Sequence, residues 1–188
     1  MSSATAFFEA KYRQAADPWN FASSRYELDR YARIMESLAP QHFRRAFEPG
    51  CSIGVLTKKL AGICVYVDAL DVSVTAVSHA QERCRHSRNV DIRVGSVRKD
   101  VPARFYDLIV LSEIGYYFER EDLLEVGAEL SARLVPGGVL LAAHWLGHSD
   151  DHLLSGDEVH ETLASLAGLE ATFSERHAGY RLQHWTRP

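Results

Sequence analysis

The apolar positions of the chain recur with two periods, and the period switches repeatedly along it. Over the first forty residues the spacing is helical. Residues 5–15 and 24–38 read as helices, with Tyr26, Tyr31, Ile34 and Leu38 at helical intervals and Asp17-Pro18-Trp19-Asn20 as the loop between them. Ala39-Pro40 ends the second helix, because a proline drives the residue before it out of helical geometry. From Arg44 onward short apolar runs alternate with amphipathic stretches. Strands are predicted up to Phe47 and over 65–70, 91–94, 106–111 and 139–144, the fourth so apolar that burial on both faces is expected. Helices are predicted over 73–85, with Ser73 as N-cap, over 120–134, and over 155–166. The last has capping-box spacing at Ser155 and Glu158 and Gly168 as its C-terminal cap. Pro136-Gly137-Gly138 predicts a sharp turn into the fifth strand, and 169–175 with 180–186 predict a hairpin turned at Ala178-Gly179. Repeated strand-then-helix alternation predicts an α/β fold, an open and mostly parallel sheet covered by helices on both faces. In such sheets ligands sit beyond the carboxyl ends of the strands, so the residues after each strand are the ones to read for chemistry.

Composition narrows the class. The 188 residues are 46% hydrophobic and 24% charged, the balance of a globular chain with one core rather than a disordered one. Residues 1–40 are expected to form a helical piece of the same domain as a core over 41–188. No run of eighteen apolar residues predicts a membrane span, and the first ten residues lack a secretory pattern. The net charge of −4 and the absence of a long basic run argue against a nucleic-acid partner. Cys51, Cys64 and Cys84 form no CxxC pair, which argues against a disulfide framework or zinc ribbon and for a reducing cytoplasm.

The loop after the first strand is Glu48-Pro49-Gly50-Cys51-Ser52-Ile53-Gly54. Its glycines let backbone approach a ligand. The spacing is neither the dinucleotide GxGxxG nor a phosphate loop, and it begins with a carboxylate, which repels a pyrophosphate but receives an ammonium. Asp71, about twenty residues after the first glycine, stands where an acid accepts hydrogen bonds from ribose hydroxyls; capping of the next helix is the alternative.

The ordered set Glu48-Pro-Gly-Cys-Ser-Ile-Gly54, Asp71, Tyr106-Asp107-Leu-Ile-Val-Leu-Ser-Glu113 and Leu134-Val-Pro-Gly-Gly138 resembles the class I methyltransferases that use S-adenosylmethionine. The resemblance implies a Rossmann-like, doubly wound seven-stranded sheet with an antiparallel last strand. It also implies a cofactor set: Glu48, Gly50, Cys51 and Gly54 at the methionine part, Asp71 at the ribose, and Ser96 and Val97 around the adenine, with Val72 and Ser112 as further cofactor-binding residues. The acid that many relatives carry after the third strand is absent from Gly95-Ser96-Val97. A narrower resemblance, through Asp17-Pro18-Trp19, Tyr26-Glu27, Arg30-Tyr31, Glu48-x-Gly50-Cys51 and Glu113-x-x-Tyr116-Tyr117, is to the nodulation methyltransferase family NodS, with the C-terminal third fitting least. That family implies N-methylation of a free amine on a deacetylated amino sugar or chito-oligosaccharide. The N-terminal helices are expected to form a lid, with Trp19 shielding the cofactor and Arg30 available for its carboxylate. Packing for Trp19 and a surface place for Arg30 are the alternatives.

Methyl transfer needs the nucleophile, the methyl carbon and the leaving sulfur in line, and an amine attacks only when neutral. Glu113, just after the fourth strand, is the candidate for orienting the amine and accepting its proton. Tyr116 and Tyr117 offer aromatic faces to a cation. His144 and Trp145, after the fifth strand, are candidates for a base and for a sugar platform, and Tyr117 joins Glu113 and His144 as a catalytic candidate. His144, His148 and His152 are spaced by four, but the intervening Gly147 and Ser149-Asp150-Asp151 read as loop, so no metal is expected. Cys51 is read as a small residue tolerated under a ligand rather than a reactive thiol. An O-methyltransferase of small metabolites, a non-catalytic cofactor-binding subunit and a nicotinamide-dependent reductase are the rival readings. The partners expected are a small-molecule or oligosaccharide acceptor, with a homodimer as a further option.

Overall fold

The computed structural model describes residues 3–188, with side chains from Thr5; Met1 and Ser2, the start of the expected N-terminal piece, lie outside the described residues. The strands are β1 (Phe43–Pro49), β2 (Cys64–Asp71), β3 (Val90–Val94), β4 (Tyr106–Ser112), β5 (Leu134–Trp145), β6 (Glu170–Arg176) and β7 (Tyr180–Thr186). The helices are α1 (Ser3–Gln14), α2 (Arg25–Leu38), α3 (Val55–Leu60), α4 (Val74–Cys84), α5 (Arg120–Ala132) and α6 (Gly156–Ala164), with a 3₁₀ turn at Gly115–Tyr117. The strands form one seven-stranded sheet in the order β3-β2-β1-β4-β5-β7-β6, in which β7 runs antiparallel to both neighbours. This is the expected doubly wound α/β fold. Among the described residues no helix is long and apolar enough to cross a membrane.

The chain folds as two compact units that divide between Val101 and Pro102. In the first, β2 pairs in parallel with β1 and with β3, from Phe43↔Cys64 to Pro49↔Leu70 and from Val67↔Val90 to Asp71↔Val94. Helix α4 buries Val77, Ala80 and Cys84 against Cys51, Ala69 and Ile92. Small residues dominate this cluster, so helix and strand approach closely. Ser73 caps α4 by accepting the Ala76 N–H. Helix α2 buries Glu27, Arg30, Tyr31, Ile34 and Leu38, a stripe at three- and four-residue intervals. Tyr26, expected on that stripe, is exposed.

In the second unit β4 pairs in parallel with β5 and its run Leu108–Leu111 is fully buried, as an apolar central strand requires. Two boundaries differ from expectation. Helix α5 stops at Ala132, and Pro136-Gly137-Gly138 is not a turn ahead of β5 but an irregularity inside it. The register slips between Tyr106↔Leu134 and Leu108↔Val139, and Gly137 takes a positive φ of 79° that absorbs the extra residues. Helix α6 carries both bonds of the Ser155–Glu158 capping box. It ends at Ala164, so Gly168 lies in the following turn rather than at the cap. The terminal hairpin closes through the His177 N–H to the Tyr180 carbonyl at 2.8 Å, with Ala178-Gly179 as its turn.

Candidate functional site

The candidate cofactor residues lie in the first unit, apart from Ser112. The loop from Glu48 to Gly54 holds three positive φ angles, at Gly50, Ser52 and Gly54 (73°, 50° and 76°). Gly54 is required twice over: a Cβ there would also lie 3.0 Å from both the Cα and the Cβ of Ala80 in α4. The loop is tied to the end of β2. The Gly50 and Cys51 N–H groups both donate to the Leu70 carbonyl, at 2.7 and 3.0 Å. Asp71 finishes the tie, since Oδ2 accepts the Ser52 N–H and Oδ1 the Ser73 N–H, each at 2.9 Å. Burial pushes the Asp71 carboxyl up from 3.8 to about 6, against these hydrogen bonds, which lower it. The Val72 N–H adds a third backbone bond to this carboxyl, which has about four lone-pair sites in all.

Glu48 is buried at the end of β1. Burial first, and the Asp71 charge after it, raise its carboxyl from 4.5 to about 8, while the neighbouring Thr57 hydroxyl works the other way. Neither Glu48 Oε2 nor Thr57 Oγ1 completes a hydrogen bond of good geometry. A buried acid oxygen without a partner is costly, and an ammonium group is its natural complement. Cys51 is buried in the α4 cluster, and burial pushes its thiol well up, so it stays protonated and inert.

Helix α1 is fastened to the same loops. Glu9 accepts hydrogen bonds from Ser73 Oγ (2.7 Å), Thr75 Oγ1 (2.8 Å) and the Thr75 N–H (3.2 Å), which hold its carboxyl down at about 2. Tyr12 donates to Ser52 Oγ at 2.5 Å. Neither contact was legible in the sequence, since each spans forty residues or more. Trp19 lies in an aromatic group with Phe8, Tyr12 and Phe21. Arg30 is 0% exposed, which removes the surface reading; it pairs with Glu27 at 2.5 Å and lies over the Tyr31 ring at 5.4 Å.

Beyond β3, the Gly95 N–H donates to the Asp71 carbonyl at 2.9 Å, and Val97 is buried while Val72 and Ser96 are half-buried. Asp100, which the sequence reading passed over, returns to this turn and accepts the Ser96 N–H at 2.8 Å. A groove of about 460 Å³ lies elsewhere on this unit, lined among others by Asp17, Lys58, His79, Arg83 and His86. It includes none of the candidate cofactor residues.

The candidate acceptor residues lie in the second unit. Glu113 follows β4, after Ser112, with φ at 60°, a strained value for a side chain of this size. The local bonds explain why it is held there. Its N–H donates to the Ala143 carbonyl at 3.0 Å, Oε1 accepts the Trp145 N–H at 2.7 Å, and Oε2 accepts the Tyr116 hydroxyl at 2.6 Å. Tyr116 and Tyr117 meet edge to face, 5.0 Å between centroids. Burial, with the charges of Asp151 and Glu113, raises the Tyr117 hydroxyl well above its ordinary value. That keeps it a neutral phenol rather than a base.

His144 departs from its expected role. It is 0% exposed, and both ring nitrogens are engaged. Gln183 Oε1 lies 2.7 Å from His160 Nδ1 and can only accept, so His160 carries its proton there and offers Nε2 to His144 Nδ1 at 3.4 Å. His144 Nε2 is then the acceptor of the Gly115 N–H at 3.0 Å. Burial drives His160 down to about 4, consistent with this neutral relay. His144 therefore positions the 3₁₀ turn and does not stand open to a substrate proton. A Cβ at residue 115 would lie 2.8 Å from His144 Nε2 and 2.4 Å from Val159 Cγ1, so only glycine fits there. His152, read from the sequence as a solvated loop histidine, is instead stacked on Tyr116. Among the described residues no group of three or more His, Cys, Asp or Glu side chains gathers as metal ligands.

A family model described as Nodulation protein S (NodS) matches residues 7–141. The chain belongs to the NodS family. It is 30% identical over 126 residues to Nodulation protein S of Sinorhizobium fredii strain NGR234, covering 66% of this chain and 58% of that protein. It is 32% identical over 130 residues to Nodulation protein S of Rhizobium tropici, covering 68% and 54%. This NodS-family chain thus spans little more than half the length of the curated relatives it matches. Among solved structures it is similar to the N-methyltransferase NodS from Bradyrhizobium japonicum WM9 in complex with S-adenosylhomocysteine. The TM-score is 0.86 at 21% identity, over 100% of both chains.

Proposed function

We propose that this chain is an N-methyltransferase that uses S-adenosylmethionine and acts on the free amine of a small polar acceptor, with a deacetylated amino sugar or chito-oligosaccharide as the best candidate. The observation that carries the reading is Glu113, a carboxylate held by Trp145 and Tyr116 among aromatic rings. A fixed carboxylate among aromatic faces is the chemistry of ammonium recognition. The NodS relatives, and the S-adenosylhomocysteine held by the solved NodS of the same fold, support the cofactor.

The residues of the first unit fit that cofactor. Glu48 Oε2, buried without a hydrogen bond, suits the amino group of the methionine part. Gly50, Cys51 and Gly54 leave the loop backbone free of bulk, and the remaining lone-pair capacity of Asp71 suits the ribose hydroxyls. Ser96 and Val97 are assigned to the adenine side, and Val72 to the cofactor beside Asp71. Arg30 is assigned to the cofactor carboxylate and Trp19 to its cover. When bound, the cofactor supplies an electrophilic methyl group. In the second unit Glu113 orients the amine, Tyr116, Tyr117 and Trp145 line its approach, and His144 holds the turn that carries the tyrosines.

The test is methyl transfer followed by mass spectrometry, with a deacetylated chito-oligosaccharide beside its fully acetylated counterpart. A methyl mass on the deacetylated sugar alone is expected. Methylation of both places the methyl on a hydroxyl and overturns the amine assignment.

A further inference from the structure

His152 lies beyond the stretch that the family model matches, so its assignment rests on geometry alone. Its imidazole stacks on the Tyr116 ring with centroids 3.7 Å apart and planes inclined by 15°. Tyr117 and Trp145 meet it edge-on, at 5.2 and 6.1 Å. The stack is built by the backbone. The Leu153 and Leu154 N–H groups both donate to the Tyr116 carbonyl, at 2.7 and 3.3 Å, and the His152 N–H donates to the Ser149 carbonyl at 3.1 Å. His152 is therefore the side chain that loop 146–154 delivers onto the tyrosine whose hydroxyl is bonded to Glu113.

We propose that His152 is the catalytic base that takes the proton from the substrate ammonium, in the site where Glu113 orients it. The proposal rests on the amine reading above and moves the proton acceptor to His152, since His144 is sealed and both Glu113 oxygens already accept hydrogen bonds, from the Trp145 N–H and the Tyr116 hydroxyl. One N–H bond of the ammonium breaks and one N–H bond forms on the imidazole. The electron pair left on nitrogen would attack the methyl carbon while the carbon–sulfur bond breaks and its pair stays on sulfur, leaving S-adenosylhomocysteine, and the imidazolium later returns its proton to water.

The surroundings suit both protonation states. Burial lowers the His152 pKa, and His148 of the same loop acts the same way, so the ring rests neutral with a lone pair to offer. Asp151 and Glu113 oppose this and stabilise the imidazolium once formed. That cation then lies over the face of Tyr116, an attractive placement for a positive charge. Among the described residues neither ring nitrogen of His152 is hydrogen-bonded to a side chain or to backbone, in contrast to His144.

Two variants and one spectrum test the assignment. His152→Gln removes the base, and His152→Phe removes it while keeping an aromatic ring on Tyr116. Both should lower kcat on the deacetylated chito-oligosaccharide by roughly 100-fold near neutral pH, with KM changed by no more than about twofold. The deficit should shrink as pH rises and the amine becomes neutral without help. Restoration of the rate by phenylalanine would show that His152 only packs, and a wild-type pH profile in the glutamine variant would equally overturn the proposal. NMR of the His152 ring without cofactor gives a readout independent of turnover. Its resonances, assigned by their loss in His152→Gln, should move with the deacetylated sugar and not with the acetylated one. An unmoved ring overturns the proposal. If the wild type methylates no amine, the proposed function falls, and the NMR result still decides whether His152 meets the amine.

Discussion

Replacing Glu48 by glutamine isolates a buried acid that holds its proton at neutral pH. The carboxyl is raised from 4.5 to about 8, chiefly by burial. Below pH 4.5 it is protonated in both the folded and the unfolded chain, and ionisation makes no difference to stability. Between 4.5 and about 8 the unfolded chain releases the proton and the folded chain keeps it. Stability then falls as pH rises, at about 1.4 kcal/mol per pH unit, for a loss on the order of 5 kcal/mol that is complete above the folded value. Glutamine has no proton to lose. Glu48→Gln should therefore gain steadily on the wild type from pH 4.5 to 8.

Other perturbed groups titrate in this range and are present in both proteins. Asp71, raised to about 6, acts with the same sign from 3.8 upward. His160, lowered from 6.5 to about 4, acts with the opposite sign in that window, because the unfolded chain binds the extra proton. Glu9, lowered from 4.5 to about 2, also makes stability rise with pH, but only below 4.5. To first order they cancel in the difference. Urea unfolding at half-unit pH intervals from 4 to 8.5 measures that difference directly. A difference independent of pH would mean that Glu48 ionises normally in the folded chain, and the argument for an ammonium partner would go with it. The ligand side of the same linkage is proton release. If the cofactor amino group meets Glu48, S-adenosylhomocysteine binding at pH 7 should expel about one proton from the wild type and none from Glu48→Gln, read by calorimetry in two buffers of different ionisation heat.

Asp71→Ala removes the acceptors of the Ser52 and Ser73 N–H groups as well as the assigned ribose contact. Affinity for S-adenosylhomocysteine should fall at least roughly tenfold, and unchanged affinity by calorimetry would sink the ribose assignment. Gln183→Leu leaves the His160 Nδ1–H buried without an acceptor, so unfolding free energy at pH 7 should drop by about 1–3 kcal/mol. A wild-type urea midpoint would mean that the relay runs with other tautomers.

Much of this was readable locally. Strand and helix alternation, the Ser73 N-cap, the Ser155–Glu158 capping box and the Ala178-Gly179 turn all follow from residues within a few positions of one another. The first unit's loop was legible because its glycines and Asp71 are required by backbone geometry and by one carboxylate at the end of β2. The misreadings have a common cause, which is that long-range contacts decide them. Pro136-Gly137-Gly138 has the local signature of a turn, and only pairing with β4 makes it a bulge. Arg30 has the composition of a surface residue, and only packing buries it beside Glu27. The sequence favours His144, at a strand end, over His152, in a loop, and the structure reverses that order. The fold seals the first with His160 and Gln183 and lays the second on Tyr116, with partners as far as 39 positions away.

The acids assigned to function are already engaged in structure. Asp71 ties two turns together, and Glu113 holds the Trp145 N–H and the Tyr116 hydroxyl. Removing either one damages the frame together with the chemistry, so the loss after an alanine substitution does not identify a role. A double-mutant cycle on Glu113 and Tyr116 separates the two. Their side chains share one hydrogen bond at 2.6 Å. If the carboxylate orients the amine from the position that this bond fixes, Tyr116→Phe releases it and Glu113→Gln weakens what remains. The losses in kcat/KM should then be strongly non-additive, coupled by about 0.5–3 kcal/mol, with the double variant little worse than the worse single one. Additive losses would mean that the tyrosine lines the pocket on its own account and that Glu113 keeps its place without it. In that case the Trp145 N–H and the strained backbone at Glu113 alone hold the carboxylate.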